Sequence, residues 1–289
     1  MSGNLLGKRS VSFKSHTTKA NVFEDLFSDA SARLALYQTL HSEDTGVTAE
    51  DIELITLSHI FLRGRYNDLG MRVGSRLIVL VEAQSIWSPN IIPRSIMYLS
   101  DTWNRYGAAQ EFDWYSSTTV PLPEAELYVV YTGDRKDVKT SITLSEEFFG
   151  GWKTAIDATV KVLIYDGGND IINQYIAFCR KIDECRRKYP KDARKAITEA
   201  IDFCIESGIL ADYLKKRRPE VINIMIALFS EEHAREMERV NERKEALEEG
   251  QQRIFSLYNK LKNAGREKEF DLASKDPLIL EHLYKEFDL

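Results

Sequence analysis

The chain has 289 residues, 43% hydrophobic and 29% charged, with 15 Gly and 7 Pro, a composition that fits a globular core and excludes collagen-like and low-complexity readings. Its 45 acidic residues outnumber 39 basic ones for a formal charge of −6, which argues against a surface that coats nucleic acid or anionic membrane throughout and leaves room for one basic face. No apolar run approaches the ~18 residues that span a bilayer, so no membrane partner is expected.

Residues 1–20 carry Lys8, Arg9, Lys14 and Lys19 without a continuous hydrophobic segment, which reads as a flexible basic arm and not a secretory signal. Three cysteines, Cys179, Cys185 and Cys204, form neither a CxxC nor an even framework and read as small buried hydrophobes. A soluble, cytoplasmic protein is expected.

A helix is expected over Val22–Leu40, where Val22, Phe23, Leu26 and Phe27 recur at helical spacing, with Ser31 capping its second half. His41–Glu50 is a polar loop. Leu54–Leu62, Tyr66–Val73 and Leu77–Gln84 are strand-like, separated by Arg63-Gly64-Arg65 and Gly74-Ser75-Arg76, and should form an antiparallel meander. Ile96, Leu99, Trp103 and Tyr106 predict an amphipathic helix over Arg94–Tyr106, and Leu127–Tyr131 and Val160–Tyr165 read as further strands.

From Asp170 onward the pattern is helical, beginning with the Ile172, Tyr175, Ile176, Cys179 stripe. Further helices are expected over Asp192–Glu206, Leu210–Lys216, Val221–Tyr258 and Ile279–Phe287. The fold expected is therefore an α/β domain with a mixed sheet over residues 21–166, followed by an all-α region over 167–289. Between Glu231 and Glu249, i,i+3 and i,i+4 Glu–Arg pairs suit a solvated or partner-facing helix, and a homo-oligomer through the C-terminal helices is an expectation.

The third strand carries the chemistry. Leu77, Val79, Val81 and Ala83 fill one face; on the other, Ile78 and Leu80 give way to Glu82 and Gln84. A turn centred on Ser75 would set Asp68 directly across from Glu82, about 5 Å away, and two carboxylates that close call for a divalent cation. Oxygen ligands with no His or Cys nearby suit Mg²⁺ or Mn²⁺ and not zinc. The plainer alternative is structural: Glu82 paired with Arg72, Arg76 or Arg94, and Asp68 capping a turn.

Asp68, then Glu82-Ala83-Gln84 closing a central strand, then a helix, resembles the PD-(D/E)XK nuclease superfamily, with Gln84 where the signature has lysine. One branch is closer, the recombination-promoting nuclease (Rpn) family, often labelled transposases. The likeness lies in Val22-Phe23-Glu24-Asp25-Leu26-Phe27, Tyr66-Asn67-Asp68-Leu69-Gly70, Val81-Glu82-Ala83-Gln84-Ser85, Ser88-Pro89-Asn90-Ile91, Arg94 with Tyr98-Leu99, and Leu127–Gly133. It covers residues 21–133 well and the helical remainder loosely.

The resemblance implies a restriction-endonuclease-like core and metal-dependent hydrolysis of DNA, linked to recombination or mobile elements. In that scheme Asp68, Glu82 and the carbonyl of Ala83 hold Mg²⁺, for which Mn²⁺ can stand in, and Gln84 orients water or the scissile phosphate by hydrogen bonding, without charge. The alternative is a catalytically lapsed nuclease fold that binds DNA or assembles.

Arg186, Arg187 and Lys188 lead a run that is net +5 through Lys195, and with Arg94 they are the DNA-binding candidates; Lys215–Arg218 is a second basic cluster. Each run also reads simply as a solvated helix face. Arg94, Tyr98, Asp101 and Arg105 define the polar side of their helix, and Trp87 and Trp103 read as core. No HExxH, Walker loop, GxGxxG or GxSxG is present, which leaves zinc proteolysis, nucleotide hydrolysis, hydride transfer and serine hydrolysis without support.

Overall fold

The computed structural model describes residues 22–55, 68–83 and 87–289, with backbone alone for 68, 79–83 and 231–236. The expected N-terminal arm, Gln84 and most of the strand expected at Leu54–Leu62 lie outside the described residues.

The expected first helix is two, α1 (Val22–Phe27) and α2 (Ala30–Leu40). Asp29, not Ser31, caps the second: its carboxylate accepts from the backbone N–H groups of Ser31 and Ala32, which interrupts the helix at Ser28-Asp29. A 3-10 turn over Ala49–Asp51 leads into β1 (Ile52–Ile55), followed by β2 (Asp68–Val73), β3 (Arg76–Ala83), α3 (Ile91–Ala109) and β4 (Glu124–Tyr131). The chain continues through β5 (Ser141–Thr143), α4 (Leu144–Phe149) and β6 (Thr159–Leu163). The sheet order is β1-β2-β3-β4-β6-β5, with β3, β4 and β6 parallel and the other pairs antiparallel. The α/β class with a mixed sheet and flanking helices is thus observed.

Gly74-Ser75 alone forms the β2–β3 turn, since Val73 pairs with Arg76, and Gly74 adopts φ +57°, where a side chain would strain the backbone. Sheet faces alternate along each strand. Leu127, Val129 and Tyr131 of β4 join Leu77, Val160 and Val162 beneath α3, with Ile91, Ile92 and Tyr98 buried against them. Tyr98 is therefore a core residue and not part of a polar helix face; Asp101 and Arg105 form a surface i,i+4 pair at 2.9 Å. Trp103 packs on the same core and donates Nε1–H to the carbonyl of Pro123 at 3.2 Å.

Four helices follow: α5 (Ile171–Lys188), α6 (Ala193–Glu206), α7 (Ala211–Lys216) and α8 (Arg218–Asn263). Asp170 and Asp192 cap α5 and α6 through side-chain bonds to first-turn N–H groups. Phe23 meets Phe27 and Tyr175 edge-on at 4.8 and 5.1 Å, tying α1 to α5; burying each ring contributes about 1.5–3 kcal/mol. Asp25 accepts from Arg217 at 2.7 Å and from the Tyr213 hydroxyl at 2.8 Å, joining α1 to residues 188 or more positions away.

The chain divides into two compact units, one ending at Ala227 and the other running Leu228–Leu289. Residue 166 therefore marks a change of secondary structure within the first unit, because α5, α6 and α7 share a unit with the sheet. In the second unit, α9 (Glu267–Ala273) and α10 (Pro277–Glu286) enclose Leu257, Leu261, Ala273 and Leu283 with the C-terminal part of α8. Arg266 braces this unit by pairing with Glu269 at 2.7 Å and with Glu286. No helix of the described residues is long and apolar enough to cross a membrane.

Candidate functional site

Parallel strands leave their carboxyl ends pointing the same way, and the loops beyond them make the usual ligand crevice of an open α/β sheet. β3 and β4 end together here, Ala83 paired with Tyr131 and Glu82 with Val130. Just past that end lies a cleft of about 650 Å³ lined by Trp87, the Tyr131–Arg135 segment, and Arg180, Asp183, Arg186 and Arg187 of α5. Trp87 leans edge-on against Tyr131 at 5.6 Å, so it packs on the core, as expected, while one side faces the cleft.

The cleft is basic in an acidic protein. Four arginines face two aspartates, Asp134 and Asp183. Two of the arginines are held in place. Arg180 donates Nη2–H to the carbonyl of Gly133 at 2.8 Å, lies 3.8 Å from Asp134, and covers the Tyr165 ring at 4.9 Å. Arg135 grips Asp137 through two bonds of 2.6 and 2.7 Å, which lowers the Asp137 carboxyl below its ordinary range. Arg186 and Arg187 enter from the last turn of α5, where the helix dipole favours positive charge.

Other members of the basic runs are spent on structure. Lys188, next in sequence, pairs with Glu199 of α6 at 2.6 Å and lies over the Tyr189 ring, which ties α5 to α6, and it does not line the cleft. Arg217 binds Asp25, and Arg218 pairs with Asp202, which accounts for half of the 215–218 cluster. Arg94 is half-buried on the first turn of α3 and does not line the cleft.

The expected carboxylate pair needs one correction. The two-residue turn sets Asp68 opposite Val81, not Glu82, so the register places Asp68 on the sheet face of Val79 and Val81 and Glu82 on the other, at the same end of the β2–β3 hairpin. The expectation assumed a turn centred on Ser75; the centre falls between Gly74 and Ser75. Arg72 and Arg76, offered as structural partners for Glu82, are engaged elsewhere. Arg72 binds Glu53 with Nε at 3.0 Å, and Arg76 reaches the Tyr37 hydroxyl at 2.9 Å, Asp44 at 3.4 Å and Glu126 at 3.7 Å. Among the described residues no three His, Cys, Asp or Glu side chains gather as a metal site; those of Asp68 and Glu82 are not among them.

Sequence reasoning missed Arg135, Arg180 and Asp183. A signal existed for two of them: Arg180, Asp183 and Arg187 recur at i, i+3 and i+7 and continue the line of Ile172 and Ile176 along α5, where the stripe turns from apolar to charged. Cys185 and Cys204 are buried as expected, and burial pushes the Cys204 thiol up to about 12, which makes it a poor nucleophile. The chain matches no family model, no curated protein and no solved structure.

Proposed function

We propose that the protein is a metal-dependent DNA endonuclease of the PD-(D/E)XK type, with its chemistry at the shared carboxyl end of β3 and β4. One observation carries the reading: a cleft with four arginines opens at the end of the strand that terminates in Glu82-Ala83. A polyanionic backbone is the ligand such a cleft attracts, and local charge outweighs the total of −6. The chain order of a helix, an antiparallel three-strand meander, a crossover helix and a parallel fourth strand also agrees with the core that the resemblance implies.

Asp68, Glu82 and the Ala83 carbonyl are hard oxygen donors at one end of one hairpin, a donor type that suits Mg²⁺ or Mn²⁺; since the register puts the two acids on opposite faces, a cation shared by both would sit off the strand end. The metal supplies Lewis acidity toward a phosphoryl oxygen and a more acidic water. The chain supplies the rest. Arg186 and Arg187 hold phosphates flanking the scissile one, and Arg180, fixed by Gly133, keeps the cleft wall in place. Gln84 contributes a hydrogen bond, donor or acceptor, where the superfamily has a cation.

Incubating the protein with supercoiled plasmid tests this reading. Nicking with Mg²⁺, its loss in EDTA and its loss in Glu82→Gln are expected. DNA binding without nicking under any divalent cation would instead support the lapsed, DNA-binding reading, with Gln84 as the reason.

A further inference from the structure

Among the described residues, one helix face in the second unit is left exposed where its pattern calls for a partner. Along α8, Met237, Val240, Lys244, Leu247, Gln251, Ile254 and Tyr258 follow one another at alternating steps of three and four. That is three heptads of a coiled-coil seam, with Val240, Leu247 and Ile254 at every d position and Met237 and Tyr258 at the outer a positions. At 1.5 Å per residue the seam is about 32 Å long. Its apolar members are exposed, Leu247 at 62%, and Phe255 beside Ile254 at 67%. From Leu257 onward the helix is covered within its own unit: Leu257 and Leu261 are buried against residues of α9 and α10, and Tyr258, the last seam position, already meets Phe270 edge-on at 5.3 Å.

We propose that this face binds the same face of a second copy of the chain, in a parallel, in-register two-stranded coiled coil. The polar residues at the seam select that occupant. Arg243 stands at g and Glu248 at the following e, so each Arg243 meets the Glu248 of the other copy, twice per dimer. Gln251, at an inner a position, faces its own image and can both donate and accept. Lys244 lays its aliphatic stem along the seam and sends its ammonium outward, where its own Glu248 stands 3.8 Å away. The two polar inner a positions weaken the dimer and fix its register. This pairing is independent of the nuclease reading and joins two copies of whatever the first unit does.

Sedimentation equilibrium on the full chain tests it. The wild type should be a dimer. Leu247→Asp should be monomeric with an unchanged far-UV spectrum, because that side chain is 62% exposed within one copy. Arg243→Glu should weaken dimerisation about tenfold, and adding Glu248→Arg should restore it by reversing the pair. A monomeric wild type across the measurable range, or a Leu247→Asp variant that still dimerises, would overturn the proposal. Failure of the charge reversal to restore dimerisation would overturn the parallel arrangement.

Discussion

The two ends of the β3–β4 pair handle charge in opposite ways. At the amino end, Arg76, Tyr37, Asp44, His41, Glu126, Tyr128 and Lys161 close on one another. Tyr128 donates to Glu126 at 2.6 Å, Lys161 lies 3.5 Å and His41 Nε2 3.4 Å from the same carboxylate, and Arg76 bridges Glu126 to Asp44. Burial and Glu126 together push the Tyr128 phenol up, so it remains a neutral donor. At the carboxyl end four arginines and two aspartates line an open cleft. A charged cluster whose members satisfy one another is structure; the cleft at the other end is where the proposed reading places DNA.

Substitutions at the two ends should therefore separate activity from stability. The largest effect is expected at Asp68 and Glu82: Asp68→Asn or Glu82→Gln should abolish plasmid nicking with the melting temperature held, since each exchange keeps the side chain's size and removes only the charge. Next, Gln84→Leu should slow nicking about a hundredfold with little change in DNA affinity, as for loss of one transition-state hydrogen bond, whereas Gln84→Lys should be tolerated or faster. A Gln84→Leu enzyme that cuts at the wild-type rate would make the residue a bystander.

At the amino end the expected signature is reversed. Glu126→Ala strips the acceptor from Tyr128 and the counter-charge from Arg76 and Lys161, and should cost about 2–3 kcal/mol in denaturant unfolding while DNA affinity stays constant. A change in DNA affinity there, with stability intact, would erase the distinction between the ends.

The smallest effect is local. Asp29→Ala should cost about 1 kcal/mol through the lost cap of α2. The Ser31 hydroxyl and the Ala32 N–H hold the Asp29 carboxyl below its ordinary range, so its contribution is present above the unfolded value of about 4 and disappears as pH falls through the lower folded value. The stability gap between wild type and Asp29→Ala, followed by thermal melts, should close on acidification; a gap independent of pH would assign the cap to something other than the carboxylate.

What the sequence revealed follows from the range of the forces involved. The stripe of Ile172, Tyr175 and Ile176 marked α5, and all three are buried, because a helix repeats its contacts every turn. Gly74-Ser75 marked the hairpin for a similarly local reason, yet its register was misjudged by one residue, and that step moves Asp68 to the sheet face opposite Glu82. β5 and α4, three and six residues long, are too short to express a period, and β5 exists through its pairing with β6. The cleft was the least legible feature. Arg180 meets Gly133 across 47 residues, and Lys188 is drawn from its neighbours by Glu199 on another helix. Nothing adjacent in sequence announces either partner.

Adjacent residues of α5 provide the most direct test of the central claim, because Arg186 and Arg187 line the cleft while Lys188 is bound to Glu199. The measurement is the slope of log affinity against log salt for duplex DNA, compared between Arg186→Gln/Arg187→Gln and Lys188→Gln. The double variant should bind more weakly, with its slope reduced by about two as two phosphate contacts are lost, and Lys188→Gln should retain the wild-type slope. Equal slopes in all three proteins, or a loss confined to Lys188→Gln, would contradict the assignment of the cleft as the DNA-binding site.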